Sequence, residues 1–233
     1  MSGQKCALIV GGSSGIGLEV GKALAARGEQ VLVTSRDQAR ADAAAKEIGK
    51  GAKGVALDIS NPTEIAGKLA SIASVDHLVL AAIERDANSV KNYDISRAIR
   101  LVTLKLVGYT ETIHTLVPRL TPGASIVLFG GQARAKPYPG STTVTTINGG
   151  VTALVGTLAV ELAPIRVNAI HPGVIADSPA WAGKAEATGR AASRTPGGST
   201  ATMEDCVHAT LFLLDNQGVN GVNLEVDRGW TLT

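Results

Sequence analysis

Val10-Gly11-Gly12-Ser13-Ser14-Gly15-Ile16-Gly17 follows the apolar run Ala7-Leu8-Ile9-Val10 and opens a stretch with helical apolar spacing. Strand, glycine turn and helix N-terminus in that order make a seat for an anion. The first helical turn presents free N–H groups and about half a positive charge. Glycine is needed where the backbone turns sharply, approaches a phosphate, or lets helix meet strand. With a strand before it and a helix after it, the motif reads as a dinucleotide pyrophosphate site built from Gly11, Ser13, Ser14, Gly15, Ile16 and Gly17.

The same alternation continues outward along the chain. Apolar β-type runs fall at 30–34, 54–57, 77–81, 125–129, 166–170 and 222–226, separated by helix-patterned stretches at 15–27, 38–48, 62–73, 95–120, 143–162 and 203–214. Short buried strands alternating with helices predict an α/β fold, a doubly wound parallel sheet with helices on both faces. No internal repeat or linker divides the chain, so one domain over 1–233 is expected. Residues 177–202, rich in Ser, Ala, Gly and Arg, stand apart from the pattern. They read either as a substrate lid or as a disordered surface excursion.

Composition excludes several classes of function. The formal charge is only +2 with scattered basic residues, which leaves no footprint for nucleic acid or an anionic membrane. No apolar run of membrane-spanning length is expected, nor a basic-then-apolar leader. The two cysteines, Cys6 and Cys206, are too far apart in sequence to suggest a disulfide framework. No metal-ligand spacing is present either, and a reducing cytoplasm is the expected setting.

The second strand ends Val33-Thr34-Ser35-Arg36. A carboxylate at that point accepts hydrogen bonds from a ribose 2′-hydroxyl, whereas an arginine pairs with a 2′-phosphate. Arg36, with Ser35 as a supporting donor, therefore points to NADP(H); the competing reading is a solvated arginine at a helix start. Asp58 ends the third strand, either to reach an adenine edge or to cap the approach to a helix.

Over its whole length the chain resembles the short-chain dehydrogenase/reductase family. The resemblance rests on Gly11 followed by Gly15-Ile16-Gly17, on the Arg36 strand end, and on Asp58-Ile59. It rests further on Ile165-Arg166-Val167-Asn168-Ala169-Ile170-His171-Pro172-Gly173 and on Gly221-Val222-Asn223-Leu224-Glu225-Val226-Asp227. It implies a single Rossmann-type domain with a seven-stranded sheet, assembled as a tetramer or dimer. It also implies that Ala81 and Ala82 line the cofactor site and that Pro172, Gly173 and Ile175 lie beside the nicotinamide.

The family's serine, tyrosine and lysine are missing at the matching positions. Alignment on flanking residues puts Gly131 at the serine, Val144 at the tyrosine and Asn148 at the lysine. Glycine and valine hold no titratable proton, so the usual proton transfer is chemically impossible with them. Ile83 likewise stands where relatives carry a glycine near the cofactor. The family's relay asparagine matches Lys105 in Lys105-Leu106-Val107-Gly108, so lysine and asparagine have traded places between Lys105 and Asn148. Lys105, desolvated beside a nicotinamide, would act as a proton donor; the alternative is a helix lysine whose stem packs while its head reaches water.

Other polar residues each carry two readings. Tyr138 and Trp181 cover a substrate or sit at the surface. His171 serves a ligand or is a satisfied strand-end side chain. Gln132, Arg134 and Lys136 bind an acidic substrate or are loop polars. Thr142, Thr143, Thr145 and Thr146 are explained by helix capping. Three functions follow: an NADP(H)-dependent oxidoreductase acting on a small carbonyl, quinone or enone through a non-standard donor; a non-catalytic NADP(H)-binding sensor or scaffold; or a non-redox lyase or isomerase.

Overall fold

The first strand, β1 (Cys6–Val10), is buried along its whole length. Alternate side chains of a strand point to opposite faces, so Ala7 and Ile9 feed one core while Leu8 and Val10 feed the other. Burying such a side chain contributes about 1.5–3 kcal/mol, which makes this five-residue strand a strong anchor. The computed structural model describes residues 4–233.

The remaining strands are β2 (Gln30–Ser35), β3 (Lys53–Ala56), β4 (Val75–Leu80), β5 (Leu120–Phe129), β6 (Arg166–Pro172) and β7 (Asn223–Val226). All pair in parallel in the order β3-β2-β1-β4-β5-β6-β7, so the seven-stranded doubly wound sheet is present. Helices α1 (Gly15–Ala26), α2 (Gln38–Ile48) and α8 (Met203–Asp215) pack on the Ile9 face. Helices α3 (Pro62–Lys68), α5 (Gly108–Leu116) and α6 (Thr142–Glu161) cover the other face.

Three expectations need correction. The single helix at 95–120 is α4 (Ile95–Val102), a π-helical turn Thr103–Val107, then α5, a 3-10 turn, and β5 from Leu120. A π-turn carries an extra residue and re-aims its side chains, and here it turns Lys105 into the interior. The expected lack of a span-length apolar run fails at α6, which is long and apolar enough by length and composition, with a mean hydropathy of 1.4. Its Val151, Val155 and Leu158 face the core, while Gly149 and Gly156 meet open space. The threonines at the α6 start do not cap it. Thr146 Oγ1 donates back to the Thr142 carbonyl, and Thr145 Oγ1 to that of Ala133.

Residues 177–202 are ordered as a 3-10 turn at Pro179–Trp181 and helix α7 (Ala185–Ser193). They form one wall over the C-terminal ends of the strands, where the order reverses between β1 and β4. That reversal opens the crevice.

Candidate active site

The crevice holds a cavity of about 1000 Å³. At its base Gly11 adopts φ +82°, and a Cβ there would stand 2.4 Å from the Ala82 Cα. A Cβ at Gly17 would stand 2.7 Å from the Gly11 carbonyl oxygen. Only glycine permits this approach of turn, helix and β4. Ser14, the N-cap of α1, is extended and makes no side-chain capping bond, and no acidic residue lies in that first turn. The cradle of Gly11, Ser13, Ser14, Gly15, Ile16 and Gly17 is thus lined by glycines and hydroxyls at a positive helix end, and it fits a dinucleotide pyrophosphate. Ala81 and Ala82 form the facing wall, and the Ala81 N–H continues the pairing onto the Val10 carbonyl at 2.8 Å.

Ser35, Arg36, Asp58 and Ile59 line the cavity beyond this cradle, joined by Arg40 and Glu84. Arg36 is not free: its Nη1 donates to Glu84 Oε1 at 2.8 Å. Arg100 donates to the same carboxylate through Nε at 2.8 Å and Nη2 at 2.6 Å, and stands 3.5 Å from Asp58. Asp58 Oδ1 accepts from the Ser60 N–H and hydroxyl, a local turn. Burial works to raise its pKa, but the Ser60 hydrogen bonds and the Arg100 charge outweigh it and hold the carboxyl below its ordinary value. Arg40, Glu84 and Arg100 carried no motif, and only their convergence in space reveals them.

The opposite arm of the cavity brings together Lys105, Gly131, Val144, Asn148, Pro172, Gly173 and Ile175. Lys105 is 1 % exposed. Its Nζ donates to the Tyr109 hydroxyl at 2.9 Å, and that hydroxyl donates to the Ala82 carbonyl at 2.9 Å. Among the described residues no carboxylate pairs with Lys105, and burial lowers its pKa to about 7. The reading of an exposed ammonium head is thereby overturned. Tyr109, which sequence reasoning missed, lies four residues from Lys105; that helical spacing was the available signal. Ile83 lines the cavity too and is half exposed.

Gly131 and Asn148 are fitted to one another. A Cβ at Gly131 would lie 2.9 Å from Asn148 Nδ2. The Gly131 N–H donates to His171 Nδ1 at 3.2 Å, while His171 Nε2 faces Asn223 Oδ1 at 2.8 Å. Those partners fix the neutral tautomer with its proton on Nε2. Burial lowers the His171 pKa to about 4, which keeps the ring neutral and its Nδ1 able to accept from the Gly131 N–H.

Of the other candidates, Gln132, Lys136, Tyr138 and Trp181 line the cavity. Gln132 Nε2 donates to Asp227, and Lys136 donates to the Trp230 carbonyl at 3.0 Å and sits over its indole. Arg134 instead pairs outward with Glu225 at 2.8 Å. Arg85 and Lys184 each stand over the Trp181 ring, 5.3 and 5.4 Å from its centre. No His, Cys or carboxylate cluster fit for a metal occurs among the described residues.

A family model described as "Enoyl-(Acyl carrier protein) reductase" matches residues 10–231. Carbonyl reductase family member 4 of Danio rerio is 32% identical over 98% of this chain and 99% of its own. A solved "small-chain dehydrogenase in complex with NADPH" superposes with TM-score 0.85 at 29% identity, covering 99% of this chain and all of that one. A 3-ketoacyl-(acyl-carrier-protein) reductase from Brucella melitensis, complexed with NADH, superposes with TM-score 0.86 at 28% identity, covering 97% of this chain and 98% of that one.

Proposed function

This chain belongs to the short-chain dehydrogenase/reductase family, and from that membership we propose that it is an NADP(H)-dependent oxidoreductase acting on a small carbonyl, quinone or enone. The observation that carries the reading is a single cavity with the glycine cradle in one arm and the Lys105 amine in the other. Gly11, Ser13, Ser14, Gly15, Ile16 and Gly17 would hold the pyrophosphate, and Ser35 and Arg36 the 2′-phosphate. Asp58 and Ile59 would border the adenine, and Ala81, Ala82, Pro172, Gly173 and Ile175 the ring end. When bound, the reduced nicotinamide supplies the hydride.

Lys105 supplies the proton. It passes one to the substrate oxygen and is left as a neutral amine, a state its burial favours. The Tyr109 hydroxyl, tied to the Ala82 carbonyl, holds the amine in place. Asn148 offers an amide beside the Gly131 turn, in exchange for the family's lysine. Residues 177–202 close over the substrate, with Trp181 as the aromatic cover.

The exposed apolar residues Ile95, Ile99 and Val102 recur at helical spacing on α4, close in sequence to exposed Val90 and Tyr93. Such a stripe supports a homo-oligomer, dimer or tetramer, with two free buried cysteines suited to a cytoplasmic setting.

The test is calorimetry with NADPH alongside a spectrophotometric screen of NADPH oxidation against ketones, quinones and enones. Binding with oxidation supports the enzyme. Gly131 and Val144 carry no titratable proton, and that observation favours a second reading, a non-catalytic sensor or scaffold; tight binding with no oxidation across the panel would select it.

A further inference from the structure

The adenosine arm of the cavity contains an acidic residue that its expected ligand does not call for. A site for a 2′-phosphate needs donors and positive charge, yet Glu84 projects between Arg36 and Arg100 and accepts hydrogen bonds from both. Its Oε1 is shared, at 2.8 Å from Arg36 Nη1 and 2.6 Å from Arg100 Nη2. Asp58, 3.5 Å from Arg100, completes a group of two cations and two anions whose charges cancel. The hydrogen bonds from Arg100, with the Arg36 charge adding to them, hold the Glu84 carboxyl below its ordinary value, so it is ionised at neutral pH.

Arg36 is the more exposed of the two arginines and meets Glu84 through one nitrogen only. Arg100 grips through two nitrogens and does not line the cavity. The weaker, cavity-side pair is therefore the one an incoming phosphate can break.

We infer that Glu84 is a specificity-determining residue of the nucleotide site: it competes with the 2′-phosphate for Arg36 and so sets the margin by which NADP(H) is preferred over NAD(H). The inference rests on the nicotinamide-cofactor reading above. A carboxylate and a phosphate offer the same acceptor chemistry to a guanidinium, and Glu84 already engages one Arg36 nitrogen and offsets its charge, so the phosphate meets a weakened partner. The dinucleotide without the 2′-phosphate leaves the Arg36–Glu84 pair intact and meets no competition.

Glu84→Gln tests this, because the amide keeps the shape and one acceptor but removes the charge. Dissociation constants for NADPH and NADH are measured by calorimetry on the full chain, with thermal melting to verify folding. The expected result is NADPH binding tightened roughly three- to fivefold, the upper end of the scale of a partly exposed ion pair, with NADH changed less than twofold. The wild type should also bind 2′,5′-ADP more weakly than the variant, a comparison that needs no turnover. Equal changes for both dinucleotides, no change, or weakened NADPH binding would overturn the inference and leave the cofactor reading standing. A variant that fails to fold moves the same comparison to Glu84→Asp, whose shorter carboxylate should release Arg36 and shift the preference in the same direction. A wild type without affinity for either dinucleotide overturns the cofactor reading, and this inference with it.

Discussion

Lys105 Nζ lies 2.9 Å from the Tyr109 hydroxyl, both residues are buried, and the hydroxyl is tied to the Ala82 carbonyl at the cavity wall. The chemistry available at the cleft is therefore an amine backed by a phenol that holds it in position.

Removing the phenol oxygen isolates this effect. Tyr109→Phe deletes an acceptor from Lys105 and a donor to the Ala82 carbonyl, costing about 1–2 kcal/mol of stability. The charged amine loses a stabilising partner, so the pH dependence of turnover moves to lower pH, by up to about one unit. A pH–rate profile checks the direction. An unmoved profile with lowered stability would leave Tyr109 a packing residue only.

Lys105 should also limit stability. Its folded pKa of about 7 is below the 10.5 of an exposed lysine, so between these values the unfolded chain binds more protons than the folded one. The sign follows: stability rises as pH climbs from about 7 towards 10.5, and the penalty is fully present below pH 7. Lys105→Met, which fills the space without charge, should raise Tm at pH 7 by several degrees, on the order of 2–4 °C per kcal/mol recovered. The gain should shrink by pH 10, and melting curves at both values read it out.

A serine at position 131 should displace the Asn148 amide. Gly131→Ser places a Cβ 2.9 Å from Asn148 Nδ2, closer than an unstrained contact. The atom met is the far end of a side chain, so Asn148 turns aside at a rotamer cost of about 0.5–1.5 kcal/mol. Pairing it with Asn148→Ala should recover most of that loss, and a double-mutant cycle by denaturant unfolding measures the coupling.

The cradle makes a sharper demand. Gly11→Ala has to hold φ +82° and set a methyl 2.4 Å from the Ala82 Cα. NADPH affinity should fall by at least a hundredfold, a scale set by the loss of close backbone approach to the phosphates. Calorimetry on the folded variant checks it.

Much of this was legible in order along the chain. The glycine turn, the strand periodicity and the Pro172-Gly173 end are local signals, and the sheet followed from them. The interruption at Thr103–Val107 was not legible, because a π-turn leaves the apolar spacing nearly unchanged while rotating Lys105 inward. Arg36 could be placed at its strand end, but its engagement by Glu84 depends on a residue 48 positions away. The threonines around Val144 looked like caps by composition, yet Thr146 donates back to the Thr142 carbonyl and Thr145 to that of Ala133. Local pattern fixes what the backbone does; which charges meet across the cleft is decided by the fold.

The most direct measurement is the rate of NADPH oxidation with a responsive ketone, quinone or enone, followed from pH 5 to 9 in the wild type and in Lys105→Met. Wild-type turnover should fall as pH rises through about 7, where the amine loses its proton, and the variant should lose a factor of about 10²–10⁴ with NADPH still bound. Full turnover in Lys105→Met, or a wild type that binds NADPH and oxidises none of it, would contradict Lys105 as the proton donor.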